Sequence, residues 1–139
     1  MPLTLTYLDE GHGVVYTASG RITGAEIIDA QAAVESRDRA AQTIWYSLFD
    51  FDDITGLEIS TDNLRKVADR SIAAANHGAK GRVVGIYAKN NFAYAISRMW
   101  MVYVEQASWE TAVFRERSEA VAWIRERVRT KFGVAITLT

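Results

Sequence analysis

Two short runs in this chain leave no polar face. Thr43-Ile-Trp-Tyr-Ser-Leu-Phe49 is continuous in β-branched and aromatic residues, and Arg82-Val-Val-Gly-Ile-Tyr87 is nearly so. Runs of this kind fit strands covered on both sides, which is the situation of a parallel sheet with helices on its two faces. Helical patterns stand between them and after them, so the chain alternates strand and helix. It has 139 residues, the size of one domain, and the whole of 1–139 is read as a single domain.

The remaining elements follow the same logic. Leu3, Leu5 and Tyr7 alternate with Thr4, Thr6 and Leu8, and Val14–Ala18 returns after Glu10-Gly-His-Gly13. The pair predicts an antiparallel hairpin. Thr23-Gly-Ala-Glu26 has the spacing of a capping box. It opens a helix over about 24–36 whose buried face carries Ile27, Ala30 or Gln31, and Val34. Asp50-Phe-Asp-Asp53 closes the third strand, and Ile54–Ile59 reads as a connection. Ser60-Thr-Asp62 starts a second helix with Leu64, Val67, Ala68, Ser71 and Ala75 inward, and Gly78 offers a left-handed C-terminal cap. A third helix spans about 91–105, a strand about 109–114, and a fourth helix starts at Ser118 and stops at Gly133. Val134–Leu138 is a β-prone tail, an edge strand or a frayed end. The expected architecture is α/β: a mixed sheet of about five strands, an N-terminal hairpin then alternating α/β, with four helices.

Composition narrows the chemistry. The chain has no cysteine, which excludes disulfides, thiolate metal sites and a thiol nucleophile. A net charge of −1 gives no overall drive toward nucleic acid. The basic C-terminal stretch (Arg115, Arg117, Arg125, Arg127, Arg129 and Lys131) is interleaved with Glu116, Glu119 and Glu126, and reads as a solvated helix face. There is no apolar run long enough to cross a membrane and no signal-peptide pattern at Met1–Glu10, so no transmembrane segment is expected and the cytoplasm is the expected compartment. His12 and His77 lack neighbouring ligands at metal spacing. No Gly-x-Ser-x-Gly, Ser-x-x-Lys or phosphate-binding glycine loop occurs. Asp50, Asp52 and Asp53 could hold a hard cation, but neighbours on an extended segment point to opposite faces, and these residues suit a turn that bonds its own backbone. The expectation is a non-enzymatic protein with no cofactor and no metal site.

Three segments resemble the SpoIIAA-like branch of the STAS superfamily: Gly20-Arg-Ile-Thr-Gly-Ala-Glu26; Leu48-Phe-Asp-Phe-Asp-Asp-Ile-Thr-Gly-Leu-Glu-Ile-Ser60; and Phe92-Ala-Tyr-Ala-Ile-Ser-Arg-Met-Trp-Met101 with Val113–Ile124. The resemblance implies a binding or regulatory module, since anti-sigma-factor antagonists have this fold. It also implies a phosphorylatable Ser after an Asp at the strand-to-helix junction. Here Glu58 stands for that Asp, Ile59 lies near the expected Ser, and Ser60 is the nearest hydroxyl. Ser60 is thus either a phosphosite or a plain helix cap. A fold-level link of this branch to lipid-transfer proteins makes a lipid-like ligand the alternative role.

The third helix is the most informative segment. Phe92, Ile96, Met99 and Tyr103 would form one face; Tyr94, Trp100, Met101 and Val104 lie on the flanks and beyond, and only Ser97 and Arg98 interrupt them. A helix apolar on so many sides meets a partner or is buried all round. Phe92, Tyr94, Trp100, Met101 and Val104 are the candidate contacts, for a homodimer interface, another protein partner or a lipid-like ligand.

Overall fold

A computed structural model describes residues 3–41, 43–77, 81–105 and 107–139, with the backbone alone at 38–41, 76 and 77. The sheet has five strands in the order β1-β2-β3-β4-β5: Leu3–Leu8, Gly13–Thr23, Tyr46–Glu58, Val83–Tyr87 and Glu110–Phe114. β1 and β2 form the antiparallel hairpin, joined by a short 3-10 turn at Asp9–Gly11, and all later neighbours are parallel. Four helices complete the α/β fold: α1 (Gly24–Ala41), α2 (Thr61–His77), α3 (Asn91–Tyr103) and α4 (Arg117–Phe132).

Side-chain alternation along the central strands divides the core into two layers. Tyr46, Leu48, Val83 and Tyr87 face α4, where Ala120, Val121, Ile124 and Val128 meet them. Tyr16, Phe51, Val84 and Ile86 face the other way, toward Ile27 and Val34 of α1, Leu64 and Val67 of α2 and Trp100 of α3. Central strands covered on both sides are what the two apolar runs required.

Local chemistry starts and stops the helices. At α1 the Thr23 hydroxyl accepts from the Glu26 amide at 3.2 Å, and Glu26 Oε1 accepts from the Thr23 amide at 3.0 Å, so the capping box is formed. Asn90 caps α3 by accepting from the amides of Phe92 and Ala93. Gly133, at φ 70°, ends α4 in the left-handed conformation.

Several expectations are corrected. α1 continues to Ala41 rather than ending near 36. β3 starts at Tyr46 rather than Thr43, passes through Asp50–Asp53 instead of being closed by them, and runs on to Glu58, where a connection was expected over Ile54–Ile59. β2 is irregular between Thr17 and Arg21, with Gly20 at φ 68°, and its shifted register keeps pairing β3 out to Thr23↔Glu58. The buried residues Phe51, Ile54 and Leu57 are consequently spaced by three instead of two. α4 starts at Arg117 with Glu116 at the cap position, so Ser118 lies inside the first turn. The tail is neither strand nor frayed. Ile136 and Leu138 are buried in the α4 layer, Arg125 donates to the Leu138 carbonyl at 2.6 Å, and the Thr137 amide donates to Asp9 at 2.9 Å. The expected cap at Gly78 lies outside the described residues, as does the His77 side chain.

Two of the basic residues near the C-terminus are structural. Arg127 and Lys131 reach Glu110 on β5 at 2.8 and 3.1 Å and fasten α4 to the sheet edge. Burial pushes the Glu110 carboxyl up, but these two cations more than offset that and hold it below the ordinary glutamate value. The pair therefore stabilises the fold above the unfolded value of about 4.3, and the contribution disappears as pH falls through the lower folded value. Acid unfolding followed by circular dichroism should show Glu110→Gln losing stability at neutral pH and converging on the parent chain near pH ~3.

Gly13 marks a close approach. A Cβ there would sit 2.1 Å from the Tyr46 ring, whose hydroxyl is held by Asp9 at 2.6 Å. Gly13→Ala should cost about 1–3 kcal/mol in urea denaturation, the range for overpacking a rigid site.

Candidate functional site

α3 has an inner and an outer face of opposite character. Its inner face presents Ala93, Ser97 and Trp100 to the sheet and to α2, all buried. Ser97, expected to interrupt the apolar surface, is thus on the inside. Trp100 is too, because its indole N–H finds an acceptor there: it donates to Ser71 Oγ of α2 at 3.4 Å.

Ser71 is the centre of a buried polar node. Its hydroxyl donates to the Val67 carbonyl at 2.9 Å and accepts from Gln31 Nε2 of α1 at 2.7 Å. Gln31 Nε2 also donates to the Val67 carbonyl at 3.2 Å. Three helices therefore meet at one hydroxyl. Gln31 rather than Ala30 takes the buried place between Ile27 and Val34.

Beneath α3 this node borders a cavity of about 60 Å³. Its wall is mainly apolar, with Phe49, Phe51, Ile96 and Trp100 among the lining residues, and its polar members include Gln31, Ser47, Ser71 and Ser97. Tyr16, stacked on Phe49 at 4.0 Å, also lines it, with Arg82 and Glu35. Burial raises the Tyr16 hydroxyl pKa most; Arg82 opposes that and Glu35 adds to it. Arg82 is itself buried, with its guanidinium 4.6 Å from the centre of the Trp109 ring. Sequence reasoning missed Gln31, Ser47 and Arg82 as site residues. The available signal was a polar residue at core spacing within an apolar helical face, as at Ile27-Gln31-Val34.

The outer face of α3 carries Phe92, Met99 and Val102, which are 52%, 42% and 68% exposed. Ala95 lies between them and is exposed as well. The other contact candidates fall elsewhere. Trp100 and Val104 are buried and cannot touch a partner across the surface, although Trp100 lines the cavity. Tyr94 is half-buried under the Arg115 guanidinium, 3.9 Å from its ring centre. Met101 is half-buried beside a shallow groove that Arg98, Met99, Val102 and Trp109 also line.

Ser60 stands at the start of α2, exposed, and its Oγ accepts from the Asn63 amide at 3.0 Å while donating to Asn63 Oδ1. This is the geometry of a helix cap. The acidic cluster is already engaged. Asp50 Oδ1 accepts from the Asp52 amide at 3.1 Å, and its Oδ2 lies 3.4 Å from Arg117. Asp52 accepts from the Tyr87 hydroxyl at 2.7 Å and pairs with Lys89 at 3.3 Å. The Tyr87 hydrogen bond leads in holding the Asp52 carboxyl below its ordinary range. His12 bonds the Thr43 carbonyl through Nδ1 and stacks on Trp45 at 4.0 Å.

Ser71→Ala removes the acceptor shared by Gln31 and Trp100. Urea denaturation should show a loss of about 1–3 kcal/mol, the cost of stranding buried donors. An unchanged midpoint would mean that the node does not hold the helices together.

No protein-family model and no curated protein matches the chain. No helix among the described residues is long and apolar enough to cross a membrane. Among solved structures, the chain is similar to an uncharacterised protein from the DUF3478 family of Shewanella loihica PV-4, described as having a SpoIIAA-like fold. The two share 18% identity with a TM-score of 0.52, over 88% of this chain and 91% of that one. An identity that low speaks for architecture alone, and on that evidence together with the sheet order the chain has a SpoIIAA-like α/β fold.

Proposed function

We propose that this chain is a non-enzymatic binding or regulatory module of the STAS type, working in the cytoplasm, and that it associates with a second copy of itself through the outer face of α3. One observation carries this reading. The large hydrophobic side chains exposed among the described residues, Phe92, Met99 and Val102, all lie on that one helix.

With Ala95 they fall at 92, 95, 99 and 102, the three-four-three spacing of a seam between two helices. A face that only had to tolerate water would not need apolar residues at all four of these positions, three of them large. The stripe is self-complementary in the sense that a two-fold axis requires, since identical apolar faces can cover one another. It spans roughly 15 Å along the helix, so a contact limited to it is small and its affinity micromolar rather than nanomolar. The absence of an assembled base, nucleophile or glycine loop in the sequence supports a binding role over a catalytic one.

Light scattering on size-exclusion fractions should show monomer passing to dimer over the micromolar range. Met99→Glu and Val102→Glu should each leave a monomer with an unchanged circular dichroism spectrum, because both side chains are exposed. A parent chain that stays monomeric throughout, or a dimer that neither variant disturbs, would remove this reading.

A further inference from the structure

β5 ends the sheet, and its outer edge is open. The Glu110 amide donates to the Arg82 carbonyl, and the Phe114 carbonyl accepts from the Ala88 amide. In the parallel ladder with β4 these two bonds assign Glu110, Ala112 and Phe114 to the inner side. Thr111 and Val113 therefore turn their N–H and C=O groups away from the sheet, and β5 is the last strand in the order. Edges are ordinarily blunted by lysine, proline or a bulge. The stretch Thr111-Ala-Val-Phe114 contains neither residue, and its register with β4 is regular. A groove runs beside this edge, with Trp109 and Thr111 on one wall and Met101 of α3 on the other. Charge is unevenly placed along it. Arg98 and Arg115 both hold their guanidinium groups against the Tyr94 ring, 5.9 and 3.9 Å from its centre. Arg115 donates to the Lys89 carbonyl and to Asn91 Oδ1, which are uncharged, and neither arginine has a carboxylate partner among the described residues. Glu105, past the end of α3, lines the groove at its other end.

We propose that this edge and groove bind an extended acidic segment of a partner protein, which adds to the sheet as a further strand beyond β5. The backbone of Thr111 and Val113 offers donors and acceptors that any extended main chain can pair, and the groove selects among side chains. Alternate side chains of an added strand project toward α3, roughly 7 Å apart. One of them meets Met101 and Trp109, where an apolar residue fits and the flexible thioether adapts to its shape. The next on the same side is carried toward Arg98 and Arg115. That residue is an aspartate or glutamate: two guanidinium groups at one ring, with no carboxylate between them, favour an anion there. Glu105 repels the same group at the other end and so fixes where along the groove the acid lies.

The probe is the heptapeptide Thr-Asp-Thr-Ile-Thr-Asp-Thr, blocked at both ends, whose side-chain order is the same in either direction and so suits parallel or antiparallel pairing. Titration of the full chain followed by NMR should move the Thr111 and Val113 amide signals and slow their hydrogen exchange. A peptide with lysine for both aspartates should bind about tenfold or more weakly at low salt. Phe92→Glu interrupts the α3 stripe outside the groove and should give the same shifts, so the result does not depend on the dimer. Thr111→Pro removes an N–H that the β4 ladder does not use, and should keep the circular dichroism spectrum while losing the peptide. Arg98→Glu should reverse the preference toward the lysine peptide, and serves if the proline variant does not fold. Any of four results would overturn the proposal: no movement of the two amides at millimolar peptide; equal affinity for the two peptides; a folded Thr111→Pro that binds like the parent; or protection of these amides in the parent chain alone that grows with its concentration, as for an edge filled by a second copy.

Discussion

Everything distinctive about this molecule depends on the hydroxyl of Ser71. It accepts from Gln31 and from Trp100 and donates to Val67, so α1, α2 and α3 are tied at one buried point. Apolar packing alone is weakly directional, and α3 has apolar residues on several sides. A polar node is directional: the Trp100 indole N–H must face Ser71, and once it does the rotation of α3 about its own axis is set.

That rotation has two consequences at once. Inward, it brings Ser97 and Trp100 over the sheet, where they close a cavity with Ser47, Phe49 and Phe51 of β3. Outward, it leaves Phe92, Met99 and Val102 in solvent. The opposite side of the sheet shows no such division. There α4 and the docked tail cover the strands, and Arg127 and Lys131 hold α4 to β5 through Glu110. One side of the SpoIIAA-like fold is thus closed by ordinary packing and ion pairing, while the α3 side has both an internal space and an external apolar stripe.

The sequence made the frame legible where local chemistry acts alone. Tyr46–Phe49 and Val83–Tyr87 of the two apolar runs lie in β3 and β4, Thr23 and Glu26 formed their capping box, and Gly133 ended α4. It hid what depends on long-range geometry. The irregular register near Gly20 spaces Phe51, Ile54 and Leu57 by three, which matches no strand period, and so the second half of β3 reads as a loop. The faces of α3 were misassigned for a similar reason. By hydropathy alone Ser97 breaks the apolar surface, yet it is buried; of the expected contact residues Phe92 is exposed, whereas Trp100 and Val104 are buried. The acceptor that the Trp100 indole meets, Ser71, lies 29 residues away in sequence on another helix. The excess of apolar residues on α3 was visible; the direction it faces was not.

In the proposed dimer the outer face of α3 meets its counterpart on a second copy. The chain has no cysteine, so a single introduced one reports from one place only. A nitroxide on Ala95→Cys, in the middle of the stripe, should show dipolar coupling between chains at concentrations where dimer forms. The same label on Ala122→Cys, exposed on α4, should show none. Coupling at Ala122 and not at Ala95 would contradict the account, and so would the absence of coupling at both.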